Sequence, residues 1–447
     1  MEIIFTNPIL GVSIPLHTHD RSEGLASERS ILARLILPKD IAAEDPFDEL
    51  NGLATTAGTT VVGSVIQRRE HPDQTTYLGK GKVTELLGLI EMQNADVVLF
   101  DNDLNPSQTR NLERALNIKV IDRSELILDI FASKAQTHEA RLAVELAQLE
   151  YSLPRLKRMW THLSRQSMGV GMRGPGEKQL EVDRRLAEKR VQDLKAELEK
   201  VEKRKAREVA SRSDTFSVSL AGYTNAGKST LMNVLTNANV EAVDRLFATL
   251  DTRTRKWMLP GWGPILLSDT VGFIRNLPTT LVKAFRATLE EVVEATILLH
   301  VVDASSQHAE HQTAHVLKVL SEIGAGGTRQ ILVLNKADLL LPGEDTSQLA
   351  QRILGECHVA GETKPLAVSA RTSEGLEALV SLLDEMLGLD PVSRATFRFP
   401  AGNGALLNTL HEQARVIETR YLDELCEVEA EVPESVRKRL EAFLVVN

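Results

Sequence analysis

Residues 221–230 read Ala-Gly-Tyr-Thr-Asn-Ala-Gly-Lys-Ser-Thr, a spacing of Gly, four residues, Gly-Lys-Ser that can wrap a polyphosphate. Thr215 to Leu220 alternates polar and apolar residues as a strand does, and Ser229 to Leu235 reads as the first turns of a helix. In that setting Gly222, Tyr223, Thr224, Asn225, Ala226, Gly227, Lys228, Ser229 and Thr230 are predicted to form a phosphate loop. Gly222 and Gly227 let the backbone curl with its N–H groups turned inward, and the helix N-terminus adds partial positive charge. Lys228 then reaches the terminal phosphates, and Ser229 is placed to ligate Mg²⁺. Alone, the motif would also fit a glycine-rich turn.

Three further stretches remove that ambiguity. Asp269-Thr270-Val271-Gly272 closes a strand, which puts a carboxylate where it holds Mg²⁺ through water and the Gly272 N–H where it meets a γ-phosphate. Asn335-Lys336-Ala337-Asp338 closes the next strand but one. Asp338 can accept from guanine N1–H and from its exocyclic amine, a donor pair that adenine lacks, and the N–H groups of Ser369-Ala370 can meet guanine O6. Between the phosphate loop and Asp269 lies Phe247-Ala248-Thr249-Leu250-Asp251-Thr252, read as a switch that orders with the γ-phosphate. Thr249 is its expected Mg²⁺ ligand, Thr252 the alternative, and Phe247 is counted among the nucleotide contacts. Lys228, Thr249 and Gly272 are the predicted catalytic set. Phe273 follows Gly272, and an apolar ring cannot orient a water, so turnover should be slow until a partner or a second cation acts. Asn225 fits two readings, a K⁺ ligand through its side-chain oxygen or a turn-forming residue.

At 447 residues the chain is long enough for roughly three domains. No apolar run approaches the length of a membrane span, the N-terminus lacks the basic region of a signal peptide, and Cys357 and Cys426 have no metal-like or disulfide-like spacing. A monomer in the cytoplasm is expected, with peripheral membrane association left open. The net charge of −10 excludes a uniformly basic nucleic-acid binder, yet residues 155–212 hold 17 Lys and Arg against 9 Asp and Glu.

The expected fold class is α/β, in five parts. Residues 1–30 read as an irregular tail, and 31–135 as a parallel α/β domain. Residues 136–212 read as an antiparallel helical hairpin arm with a Gly-rich loop at 168–178, in which Pro154 should kink the first helix or start a new one. The GTP-binding domain spans 213–390, and 394–447 form a small α+β domain. Tyr77-Leu78-Gly79-Lys80-Gly81-Lys82 fits a phosphate or RNA-backbone contact and equally a capped turn.

These residues resemble the HflX family of ribosome-associated GTPases, within the Obg-like group. The resemblance rests on residues 222–230, 246–251, 269–275 and 299–304, and on the arm: Val144 to Leu149, Arg173-Gly174-Pro175-Gly176-Glu177 and Leu180 to Arg185. It implies a GTPase that binds 50S or 70S ribosomes and splits or recycles stalled ones under stress. It also implies contact between large-subunit rRNA and Arg173, Gly174, Gly176, Arg184 and Arg185, and an N-terminal domain that binds ATP in some members. Two other roles remain open here: a ribosome-assembly or RNA-binding checkpoint, and an ATP-dependent RNA remodeller working through the N-terminal sheet.

Overall fold

The structure is a computed structural model describing residues 5–6, 13–14, 25, 27–38, 46–166, 175–210, 216–236, 246–247, 249–250, 252–260, 262–275, 286–340, 346–356, 363–388, 392–422 and 424–445, with backbone alone over 156–166 and 175–181. It separates into two compact units. One takes in Met1–Lys203, Arg245–Phe247 and Asn276–Ala287; the other takes in Arg204–Asp244, Ala248–Arg275 and Thr288–Asn447.

In the first unit, β1 (Phe5–Thr6) and β2 (Ser13–Ile14) pair antiparallel inside the stretch expected to be irregular. Two-residue strands show no alternation to read. Then come β3 (Arg29–Ile36), α1 (Asp48–Ala57), β4 (Thr60–Arg68), α2 (Lys80–Gln93), β5 (Val97–Phe100), α3 (Pro106–Leu116), β6 (Lys119–Asp122) and α4 (Arg123–Lys134). The strands form a parallel sheet in the order β4-β3-β5-β6, packed through Ile31, Leu35, Val98 and Phe100 against Leu86, Ile90 and Leu112. A full capping box starts α3: Asn105 accepts from the Ser107 and Gln108 N–H groups, the Gln108 side chain accepts from the Asn105 N–H, and Pro106 fills the first turn. Helix α4 carries no amphipathic signal, because Leu126, Ile127, Leu128, Ile130 and Phe131 bury nearly its whole circumference.

The arm consists of α5 (His138–Gln166) and α6 (Pro175–Ala210). Helix α5 continues through Pro154, so no new helix starts there, and the Arg155 guanidinium donates to the Tyr151 carbonyl beside the proline at 3.1 Å. The predicted Gly-rich loop is also shortened, since Pro175, Gly176, Glu177 and Lys178 form the first turn of α6, with proline where an N–H is not needed. The rest of that loop, Arg173 and Gly174 included, lies outside the described residues. Leu142, Leu146 and Leu149 of α5 and Ala187, Val191, Leu194 and Leu198 of α6 are buried. Arg190 grips Glu145 through two 2.8 Å hydrogen bonds, and Lys195 pairs with Glu150. The root of α5 is fixed to the sheet by Asp122, which N-caps α4 and accepts from Tyr151 Oη at 2.6 Å and Arg155 Nη2 at 2.8 Å. Burial pushes this carboxyl up to about 6, opposed by Arg155 and Tyr151.

The second unit begins with β7 (Ser217–Gly222), α7 (Lys228–Leu235), β8 (Arg253–Leu259), β9 (Gly263–Asp269) and α8 (Arg286–Val293). It continues with β10 (Ile297–Asp303), α9 (Ala309–Glu322), β11 (Gln330–Asn335), α10 (Thr346–Glu356), β12 (Thr363–Ala367) and α11 (Leu376–Leu387). The sheet order is β12-β11-β10-β7-β9-β8, parallel except for β8. Strand β8 was not expected: it lies at the sheet edge, and its charged run buries only Trp257 and Leu259.

The chain ends with β13 (Val392–Pro400), α12 (Gly404–Gln413), β14 (Arg415–Leu422), β15 (Leu425–Pro433) and α13 (Glu434–Arg439), the sheet order being β13-β15-β14. This is the start of a ferredoxin-like plan, with a fourth strand reduced to the Phe397–Leu444 bridge. One face packs Phe397, Phe399, Val428 and Val432 on Leu410 and Val436. Arg394–Glu429, Arg398–Glu427 and Arg415–Glu431 pair across the strands. Lys256 Nζ of β8 donates to the His411 carbonyl at 2.7 Å, and so joins this small domain to the larger sheet.

His300 of β10 is buried beside the Gln330 side chain. Burial pushes its pKa down to about 4 from an ordinary 6.5, with Gln330 opposing the shift and the Lys228 charge adding to it. The native state therefore keeps His300 neutral where the unfolded chain protonates it, and stability is lost as the pH falls through 6.5 towards 4. Between pH 7.5 and 5 the loss is ~2 kcal/mol. Urea unfolding at the two pH values should show this part of the loss in the parent and not in His300→Leu.

Candidate nucleotide site

Strand β7 lies between β9 and β10, where the strand order reverses, so its carboxyl end opens into the crevice in which parallel sheets bind ligands. The chain leaves it at Gly222, where a Cβ would fall onto the Val301 carbonyl oxygen of the neighbouring strand. Gly227 caps α7, and Lys228 is its first residue. Lys228 is 5% exposed, and its ammonium donates back to the carbonyls of Gly222 at 3.1 Å and Tyr223 at 2.8 Å. Burial pushes it down to about 8, against the pull of Asp269. The lysine is thus folded across the loop that a phosphate would fill.

Three oxygen donors converge next to it. Ser229 Oγ lies 2.6 Å from Asp269 Oδ2 and 2.8 Å from Thr249 Oγ1, and Thr249 Oγ1 lies 3.1 Å from the same carboxylate oxygen. Asp269 is 1% exposed, and its other oxygen, Oδ1, has no partner among the described residues. Two hydroxyls and a buried carboxylate with an unused oxygen suit a hard cation that keeps its waters, which fits Mg²⁺. Of the two threonines considered, Thr249 is the one brought to Ser229.

Switch and loop are joined by backbone. The Thr224 N–H donates to the Phe273 carbonyl at 2.7 Å, and the Phe273 N–H donates to the Gly222 carbonyl at 3.1 Å. Gly272 therefore passes so close to the loop that a Cβ would come within 2.8 Å of Thr224 Cα and 3.1 Å of Lys228 Nζ. Phe273 is 4% exposed, its ring buried in the core.

At the base end, Asn335 does structural duty: Nδ2 donates to the Ala226 carbonyl at 2.8 Å, and Oδ1 accepts from the Ala370 N–H at 3.0 Å. That N–H, expected to meet guanine O6, is turned to Asn335. Ser369 Oγ donates to Asp338 Oδ1 at 2.7 Å and sets the carboxylate's direction. Lys336, at φ 62°, pairs with Asp303 at 2.7 Å, a partner that sequence reasoning passed over although it closes β10. Asn225 is exposed at φ 61°, as a turn residue would be. Thr230 lies in the first turn of α7.

Phe247 is not gathered with these residues; its ring packs at 4.6 Å on Phe131 of α4, within the first unit. On α6, Gly176 is helical, Arg185 is exposed and Arg184 approaches Glu188 at 3.9 Å.

A phosphate loop on β7, a carboxylate closing β9 and an Asn-Lys-x-Asp run closing β11 define a P-loop GTPase. Family models match residues 44–132 as a GTP-binding GTPase N-terminal region, 134–212 as a GTP-binding GTPase middle region and 217–336 as a 50S ribosome-binding GTPase. The GTPase HflX of Magnetococcus marinus is 45% identical over 95% of this chain and 96% of its own. The GTPase HflX of Escherichia coli is 43% identical over 89% and 92%. The chain belongs to the HflX family of GTPases. Among solved structures, a GTP-binding protein of Sulfolobus solfataricus in complex with GDP aligns with 80% of this chain and 98% of its own, at 23% identity and a TM-score of 0.44. No helix among the described residues is long and apolar enough to cross a membrane.

Two outcomes follow from this geometry. Gly272→Ala should keep the fold, as read by circular dichroism, yet lower single-turnover GTP hydrolysis by about 100-fold, because the added methyl pushes Lys228 and the loop apart. Asp338→Asn should lose about 100-fold in GTP affinity and gain xanthosine triphosphate, whose 2-oxo group accepts from the new amide; unchanged GTP affinity would refute the carboxylate's assignment.

Proposed function

We propose that GTP binding docks the α5–α6 arm on the large ribosomal subunit, against rRNA, and that the nucleotide cycle splits or recycles ribosomes stalled under stress. The observation that carries this reading is the surface of α6, where Arg185 and Lys189 are exposed next to Val182 and Leu186, themselves 49% and 44% exposed. Cations flanking an uncovered apolar ridge suit a phosphate-rich partner with bases or protein to bury. Arg190 does not belong to that set, since its guanidinium is engaged by Glu145.

In the cycle, the loop N–H groups hold the phosphates and Lys228 swings from the Gly222 and Tyr223 carbonyls to the terminal ones. The Gly272 N–H orients the γ-phosphate. Ser229, Thr249 and, through water, Asp269 would hold Mg²⁺, which when bound would neutralise charge on the phosphate oxygens. With Phe273 in the core, no side chain at that position aligns the attacking water, so the ribosome supplies the missing stabilisation, and K⁺ at Asn225 contributes to it. The protein acts as a monomer in the cytoplasm.

Sedimentation with 70S particles and a non-hydrolysable GTP analogue tests the reading: the parent should bind and yield separate subunits. Arg184→Gln, Arg185→Gln and Lys189→Gln together should weaken binding and flatten its salt dependence by about one unit per residue. Intact 70S particles with bound protein would instead favour the assembly-checkpoint role.

A further inference from the structure

Thr249 belongs to the second unit, but two residues before it the chain belongs to the first. There Leu246 lies against α1, so close to Gly52 that a Cβ on the glycine would meet Leu246 Cδ1 at 2.9 Å. The Phe247 ring, 1% exposed, stands edge-on to Phe131 of α4 with centroids 4.6 Å apart and planes 63° apart. Lys134, at the end of α4, donates from Nζ to the carbonyls of both Leu246 and Phe247, at 3.1 and 3.0 Å. Phe247 itself has φ 55°, a left-handed conformation that an aromatic residue adopts only when its surroundings impose it. Ring seat and ammonium supply that imposition. None of these contacts involves the phosphate loop or the oxygens of Ser229, Thr249 and Asp269.

We propose that Phe131, Lys134 and Phe247 are positioning residues for GTP hydrolysis: the first unit holds the segment that delivers Thr249 to Ser229 and Asp269, so a seated Phe247 and the GTP·Mg²⁺ state favour one another. The proposal rests on Thr249 being the Mg²⁺ ligand. Its logic is linkage: if a γ-phosphate draws Thr249 inward, it draws Phe247 into its seat, and whatever loosens the seat must weaken GTP relative to GDP by the same factor. The sequence motif alone places Phe247 among the nucleotide contacts; here it acts on the nucleotide only through Thr249.

The test uses the full-length chain. Affinities for GDP and for a non-hydrolysable GTP analogue with Mg²⁺ are measured in the parent, Phe247→Ala, Lys134→Met and Thr249→Ala. The GTP-to-GDP preference should fall about tenfold in Phe247→Ala and Lys134→Met, with GDP affinity unchanged, and at least as far in Thr249→Ala. Amide exchange gives the reciprocal readout, which a merely structural role would not move: in the parent, the analogue should slow exchange in α1 and at the end of α4 relative to GDP, and in Phe247→Ala it should not. If Thr249→Ala lowers the preference while Phe247→Ala and Lys134→Met leave it at the parent's value, the latch is wrong and the metal assignment stands. If Thr249→Ala itself leaves the preference unchanged, the metal assignment fails and takes the latch with it. Should Phe247→Ala not fold, Lys134→Met decides alone, because the ring and its seat remain.

Discussion

A triphosphate is held mainly by backbone N–H groups, so the segments that hold it must come closer to one another than side chains allow. That closeness governs the second unit. At Gly222 the chain passes under the Val301 carbonyl, and at Gly272 it passes over Thr224, and at neither point is there room for a Cβ. The backbone bonds from Thr224 and Phe273 close the gap, and Lys228 is folded into it. Asn335 ties the far side, joining the phosphate loop at Ala226 to the base loop at Ala370. Phosphate and base subsites are therefore set by the same amide, and a change at Asn335 would disturb both.

Much of this was legible in the sequence because each motif closes a buried strand. The pattern of β3 to β6 and of β9 to β11 could be read from alternating and apolar runs, and the sequence pattern places a helix over Pro106 to Leu116, the bounds that α3 has. What escaped had physical reasons. Helix α4 is buried on almost every side and so shows no period, while edge strand β8 buries two side chains and looks like a charged linker. Pro154 sits inside a continuous helix, because the packing of Tyr151 and Arg155 on Asp122 holds the flanking turns in place. At the site, the oxygens of Ser229, Thr249 and Asp269 follow from their motifs. The Lys336–Asp303 pair and the seat of Phe247 depend on tertiary neighbours that no motif spells out.

The arm is continuous with the N-terminal sheet in a physical sense. Asp122 ends β6, caps α4 and accepts from two residues of α5, so the root of the arm shares a buried carboxylate with the sheet that carries it. Removing one partner of such a cluster leaves the others buried without compensation, which makes the junction stiff. Arg190–Glu145 and Lys195–Glu150 extend the tie from α5 to α6. Movement of the N-terminal sheet is thus passed to the arm with little loss at its root.

The arginine–glutamate pairs on the C-terminal sheet have a different consequence. Glu427, Glu429 and Glu431 lie along central strand β15, each matched by an arginine from a flanking strand. Opposite charges that close together cancel one another's field within about a Debye length, ~8 Å at physiological salt. Such a surface is well hydrated yet electrically quiet. It adds little to the long-range attraction of a polyanion, which leaves the excess of Lys and Arg in residues 155–212 as the larger source of any such attraction.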